Sequence, residues 1–195
     1  MCRRDMADYC AAEIQQKIVQ MLSEKEHVFV AIDGRCAAGK TTLAQALNKR
    51  YGYPVVHMDD FFLSPSQRTE ERLARPGGNV DWERFLEEVV PGASGGKAFS
   101  YRPYDCGRGE LSGRVEIPAC RVLVAEGAYA CHPMLRGYYD LRVFLDVAPD
   151  EQQKRILQRE GAGRAELFKS RWIPLEERYI ETFHVDETCE MYFRV

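Results

Sequence analysis

The 195-residue sequence has no apolar run near the ~18 residues that a membrane-crossing helix needs, so a spanning segment of that kind is not expected. The opening residues, MCRRDMADYC, are charged but lead into no apolar stretch, which argues against a secretory leader. An excess of one charge sign is also missing. Lys and Arg number 27 against 30 Asp and Glu, a formal net charge of −3. Such a chain is not broadly basic, and nucleic acid is not an expected partner. Cysteine occurs seven times, at 2, 10, 36, 106, 120, 131 and 189, yet there is no C-x-x-C pair and only four histidines stand by. That spacing suits neither a zinc site nor a disulfide scaffold. The thiols read as free, in a reducing compartment, and the expected location is the cytoplasm.

What is present is a composition near the globular average, 45% hydrophobic and 29% charged, in a chain of single-domain length. Ile14, Ile18 and Leu22 recur every four residues and predict an amphipathic helix over 11–23. Continuous apolar runs follow at 28–32 (VFVAI), 54–58 (PVVHM), 121–125 (RVLVA) and 141–147 (LRVFLDV), with a weaker one, CEMYF, at the C-terminus. Runs of this kind suit strands buried on both faces of a parallel sheet. Helical stretches at 81–90 and 149–160 separate some of them, so the expected fold class is α/β with a parallel sheet. Residues 64–118 are rich in glycine and proline and carry only short strand-like pieces, around 97–101 and 114–117. A segment this long inside a compact chain reads as a binding insertion on one edge of the sheet, not as a second domain.

Residues 34–41, GRCAAGKT, follow the first strand-like run and precede a helix-forming stretch. Gly34, four residues, Gly39, Lys40 and Thr41 match the phosphate-binding P-loop pattern in its proper context. Small residues at Ala37, Ala38 and Gly39 let backbone N–H groups curl around phosphate oxygens, and the helix start adds its positive dipole end. Lys40 is expected to reach the β- and γ-phosphates of ATP, and Thr41, followed by Thr42, to offer a hydroxyl to Mg²⁺. In such sheets ligands lie beyond the carboxyl ends of the strands. Asp59 and Asp60 follow the second strand, and Glu126 ends the third. A carboxylate there can order Mg²⁺ or accept a proton from an attacking hydroxyl. Asp59, first after its strand, is the candidate base. A helix N-cap is the alternative for Asp59, and a structural hydrogen-bond acceptor the alternative for Glu126. Residues 154–171 gather Lys154, Arg155, Arg159, Arg164, Lys169 and Arg171 around Gly161 and Gly163. Arginines on a closing lid can stabilise a moving phosphoryl group.

The motifs DGRCAAGKTT (33–42), MDDFF (58–62), GGNVDWERF (77–85), YRPYDC (101–106) and VAEGAYA (124–130), with the arginine run 154–172, stand in an order that resembles the uridine kinase-like family of P-loop kinases. Phosphoribulokinase and bacterial pantothenate kinase are more distant members of that likeness. The resemblance implies a P-loop NTPase fold with a five-stranded parallel sheet flanked by helices, a β-hairpin insertion and an Arg-bearing lid. It implies transfer of the ATP γ-phosphate to an alcohol such as uridine or cytidine. Asp59 then matches the catalytic aspartate, Thr41 and Glu126 the Mg²⁺-associated pair, and Lys40, Arg155 and Arg164 the phosphoryl-stabilising cations. Asp81 matches the group that holds ribose hydroxyls, and Tyr104 the tyrosine of the acceptor loop. After YDC the family's histidine and arginine are replaced by GRGEL, which leaves Arg108 as the basic group nearby and points to an acceptor with a negative charge. A pantothenate-like or phosphosugar alcohol, or a nucleotide-binding regulator without transfer, are the competing readings. Oligomeric state, a homo-oligomer included, is not legible.

Overall fold

A computed structural model describes residues 3–195; Cys2, read above as a free thiol, lies outside the described residues. Helix α1 (Arg3–Met21) begins eight residues before the predicted start. The earlier turns carry the same four-residue spacing with weaker hydrophobes: Cys10 is buried together with Ile14 and Ile18, and Met6 packs beside them. Strand β1 (Val28–Gly34) leads through the GRCAAGKT loop into α2 (Lys40–Tyr51). β2 (Val55–His57) is shorter than its apolar run because the chain turns at once into a 3₁₀ turn, Met58–Phe61.

The insertion holds three short helices, α3 (Glu70–Ala74), α4 (Trp82–Glu88) and α5 (Val90–Ser94). It ends in nested hairpins. β3 (Phe99–Tyr101) pairs antiparallel with β6 (Val115–Ile117), and inside them β4 (Tyr104–Asp105) pairs with β5 (Glu110–Leu111). Strands β7 (Val122–Glu126) and β8 (Leu141–Asp146) return to the main sheet. Helix α6 (Pro149–Leu167) breaks at Gly161, whose φ of 76° is non-helical, and runs on through a π-turn, Phe168–Trp172, into α7 (Ile173–Phe183). The predicted lid is therefore mostly helical. A last short helix, α8 (Val185–Thr188), precedes β9 (Met191–Arg194).

The main sheet has five strands in the order β2-β7-β1-β8-β9, all parallel. Side chains alternate faces along a strand, and both faces are covered. Val28, Val30 and Ile32 of β1 pack with Leu43 and Leu47 of α2 and with Ile14 and Ile18 of α1. Phe29 and Ala31 pack toward Phe61 and Phe85 of the insertion side and Tyr179 and Ile180 of α7. Two apolar layers therefore clamp the sheet, each fully buried Leu, Ile or Phe adding about 1.5–3 kcal/mol relative to exposure. Every residue of β1 is buried, so its polar end groups, Asp33 and Gly34, are fixed in place by both layers. Among the described residues no helix is long and apolar enough to cross a membrane.

Candidate active site

The loop between β1 and α2 owes its shape to two glycines. Gly34 has φ 141°, and a Cβ there would lie 2.1 Å from the Leu145 carbonyl oxygen on β8. Gly39, at φ 100°, caps α2 in the left-handed region. The Lys40 ammonium crosses the loop and donates to the carbonyls of Gly34 (2.6 Å) and Arg35 (3.0 Å). Asp33 accepts from the N–H of Gly34 (2.7 Å), the N–H of Cys131 (2.8 Å) and the hydroxyl of Tyr179 (2.8 Å), and its burial raises its pKa. Arg35 makes a two-pronged pair with Glu177 (2.7 and 2.9 Å) and a further bond to Asp146 (2.7 Å). The Cys36 N–H donates to the buried Glu176 carboxylate (2.8 Å), while Gln152 donates to the Cys36 carbonyl (3.1 Å). Helices α6 and α7 thus grip the outer side of the loop.

Beside the loop, β2 and β7 end in register, with His57 opposite Glu126. One oxygen of Glu126, Oε1, accepts from the Thr41 hydroxyl (3.1 Å) and lies 2.6 Å from His57 Nδ1. That bond raises the His57 pKa, against the lowering effect of burial. Asp60 is tied down: Tyr101 donates to its carboxylate (2.8 Å) and Arg84 to its carbonyl (2.6 Å). No hydrogen bond or ion pair reaches the Asp59 carboxylate among the described residues. Asp59 is open to solvent on one side while protein surrounds it on the others. Lost hydration and then the charge of Glu126 raise its pKa, with Lys40 and His57 pulling the other way.

These features sit at the carboxyl ends of three adjacent parallel strands, β2, β7 and β1. The fold is similar to that of a possible uridine kinase from Bacillus stearothermophilus, at TM-score 0.64 and 18% identity, covering 93% of this chain and 99% of that one. It is similar also to YFH7 from Saccharomyces cerevisiae, described as a candidate P-loop kinase with a circular permutation, at TM-score 0.66 and 13% identity over 95% and 99% of the two chains. The chain has the P-loop NTPase fold. The likeness implied by the order of its motifs is met in the fold. In sequence it is 27% identical over 167 residues to a pantothenate kinase from Streptomyces avermitilis, covering 72% of this chain. The chain spans about half (50%) the length of that curated relative. No protein-family profile matches it.

The remaining expected site residues divide. Arg155 reaches the P-loop, donating to the Ala37 carbonyl (3.3 Å) while pairing with Glu151. Arg159 touches Cys36 Sγ at 3.8 Å. Arg164 stays 73% exposed and pairs with Glu160, away from the loop in this conformation. Asp81 is buried at the start of α4, where it accepts from the Arg84 N–H and the Gln67 amide (both 3.1 Å). Tyr104 is buried with the Arg68 guanidinium 5.7 Å from its ring centre. Arg108 is 71% exposed on the inner hairpin and pairs with Asp105 (3.7 Å), so in this conformation its charge already faces a carboxylate of its own turn. Thr42 is exposed on α2.

Several residues of the site region carry no sequence signal. Arg68 donates to the Leu63 carbonyl (2.9 Å) and has no carboxylate partner among the described residues. His132 stacks between Trp82 (5.7 Å) and Tyr179 (6.4 Å), joining the insertion to α7, and burial holds its pKa down at about 4. Glu176 lies far along the chain from the loop it contacts, and burial pushes its pKa up to about 7.

Proposed function

We propose that the protein is an ATP-dependent small-molecule kinase that transfers the γ-phosphate to an alcohol. The observation that carries this reading is the meeting of Lys40, the Thr41–Glu126 pair and an unengaged Asp59 at the ends of β1, β7 and β2. The P-loop amides and Lys40 bind the phosphates. The acceptor hydroxyl oxygen attacks the γ-phosphorus in line, its proton passes to Asp59, and the bond to the ADP oxygen breaks. Arg155 and Lys40 stabilise charge on the equatorial oxygens. Thr41, Glu126 and Asp59 offer the oxygen donors a hard divalent cation prefers. Mg²⁺, when bound, supplies positive charge to the phosphate oxygens. Among the described residues no group of three His, Cys, Asp or Glu could hold a metal alone. That fits an ion whose remaining ligands are phosphates and waters.

Two acceptor classes follow. A nucleoside such as uridine or cytidine rests on Asp81 and Tyr104, which match the family pattern. The Asp81 carboxylate would then have to trade its bonds to Arg84 and Gln67 for ribose hydroxyls. A pantothenate-like alcohol bearing a carboxylate is supported by the pantothenate kinase likeness and by Arg68, a cation on the Tyr104 ring without a carboxylate of its own. Incubating the protein with ATP, Mg²⁺ and a panel of nucleosides, acidic alcohols and phosphosugars, followed by mass spectrometry, tests the proposal. One class should gain phosphate, and only with ATP present. ATP hydrolysed or bound with no acceptor phosphorylated would replace the kinase with a nucleotide-binding regulator.

A further inference from the structure

His57 lies outside the set of residues that the P-loop pattern explains, and it contacts a buried carboxylate at the site, Glu126. Glu126 has a side chain only 5% exposed, with the Thr41 hydroxyl and His57 Nδ1 both directed at the same oxygen, Oε1. A buried carboxylate must find donors, and those donors decide which way it turns. The Thr41 hydroxyl is a weak fixed point, because it rotates about its own Cβ–Oγ bond and has lone pairs of its own to offer elsewhere. The imidazole is a rigid ring on a strand, and β2–β7 register sets His57 directly beside Glu126. At 2.6 Å, its Nδ1 is the closer partner of that oxygen.

We propose that His57 is a positioning residue for the divalent cation of the phosphotransfer reaction: its Nδ1–H holds Glu126 Oε1 in place, so that Thr41 donates to that same oxygen and keeps its lone pairs for the ion. The inference rests on the kinase reading above. The hold needs only a hydrogen on Nδ1, which one neutral tautomer and the protonated ring both supply. A purely structural role is a poor account of this histidine. Its side chain is 42% exposed, and no other hydrogen bond of its ring is present among the described residues. Because its ring is partly open to solvent, removing it changes Glu126 most directly, leaving Thr41 as that carboxylate's remaining side-chain partner among the described residues.

The test compares three substitutions. Asparagine places an amide nitrogen near the position of Nδ1, glutamine places one near Nε2, and leucine places none. Mg²⁺ is titrated into protein saturated with ADP, by calorimetry, and ADP affinity is measured separately in a chelator. His57→Leu and His57→Gln should weaken Mg²⁺ binding by about ten- to hundredfold, the range for lost partners of metal ligands. ADP affinity without metal should stay within a few fold, as should the thermal midpoint within a few degrees. His57→Asn should recover most of the loss. A ¹⁵N spectrum of the metal-free protein should show hydrogen on Nδ1. Wild-type Mg²⁺ affinity in His57→Leu, equal damage in His57→Asn, or an Nδ1 without hydrogen would each overturn the assignment while leaving the kinase reading intact. A wild-type protein that bound no Mg²⁺ with ADP would overturn both.

Discussion

Asp59 and Asp60 adjoin in sequence, share one 3₁₀ turn and have opposite surroundings. Asp60 accepts from Tyr101, so its carboxylate serves the insertion. Asp59 accepts from nothing among the described residues and faces Glu126 and Lys40 across the cleft. A carboxylate whose pKa is raised by lost hydration is a better base at neutral pH than an ordinary one, provided it still ionises. Asp59→Asn keeps the shape and removes the proton acceptor. Turnover should then fall by about 10²–10⁴-fold, the usual worth of a general base, while ATP affinity stays within a few fold. Steady-state kinetics beside ATP titration check this; turnover near that of wild type would remove Asp59 from the base role. Asp60→Asn should instead show its damage in thermal stability, through the Tyr101 contact.

At the scale of elements, the strand–loop–helix unit 28–51 was legible because its determinants are local. β-branched residues form the strand, glycines shape the loop, and good helix formers follow. The start of α1 was not legible, since Met6 and Cys10 continue the four-residue spacing in side chains that read as weak hydrophobes. Nor was the form of the segment 154–171, because Gly161 breaks the helix dihedrals for one residue and the chain then resumes helix on the far side. The contacts of α7 with the P-loop lie further still from any local pattern: Glu176 meets Cys36 across 140 positions. One close approach can be tested at this scale. Gly34 of β1 is paired with Leu145 of β8, and a Cβ there would fall 2.1 Å from a backbone oxygen that cannot rotate away. Gly34→Ala must force the central strands β1 and β8 apart or move the P-loop. It should lose at least about 3 kcal/mol of stability, a large share of the ~5–15 kcal/mol of a domain. An unchanged urea midpoint would show that these strands separate more easily than their packing implies.

Across the whole molecule, helix α7 is joined to the sheet by groups whose charge states oppose one another. Glu176, on α7, has its pKa raised by burial from 4.5 to about 7, with Lys40 and the Cys36 N–H opposing. Between those values the folded protein keeps a proton that the unfolded chain has lost. Its contribution to stability is therefore full below about 4.5 and is lost as pH rises through 7, about 3 kcal/mol in all. His132, in the stack between Trp82 and Tyr179, has its pKa lowered from 6.5 to about 4 by burial and then by Arg72. There the unfolded chain takes up the proton first. Its contribution is present above about 6.5 and is lost as pH falls toward 4, again about 3 kcal/mol. The two slopes have opposite signs over nearly the same window, so together they flatten the profile of the wild type. Glu176→Gln keeps an acceptor for the Cys36 N–H and removes one of the slopes. The variant's stability relative to wild type should climb by about 3 kcal/mol between pH 4.5 and 7.5, measured by chemical unfolding at each pH. A constant difference across that range would mean that Glu176 is ionised in the folded protein throughout, with Lys40 outweighing burial at the junction of α7 and the P-loop.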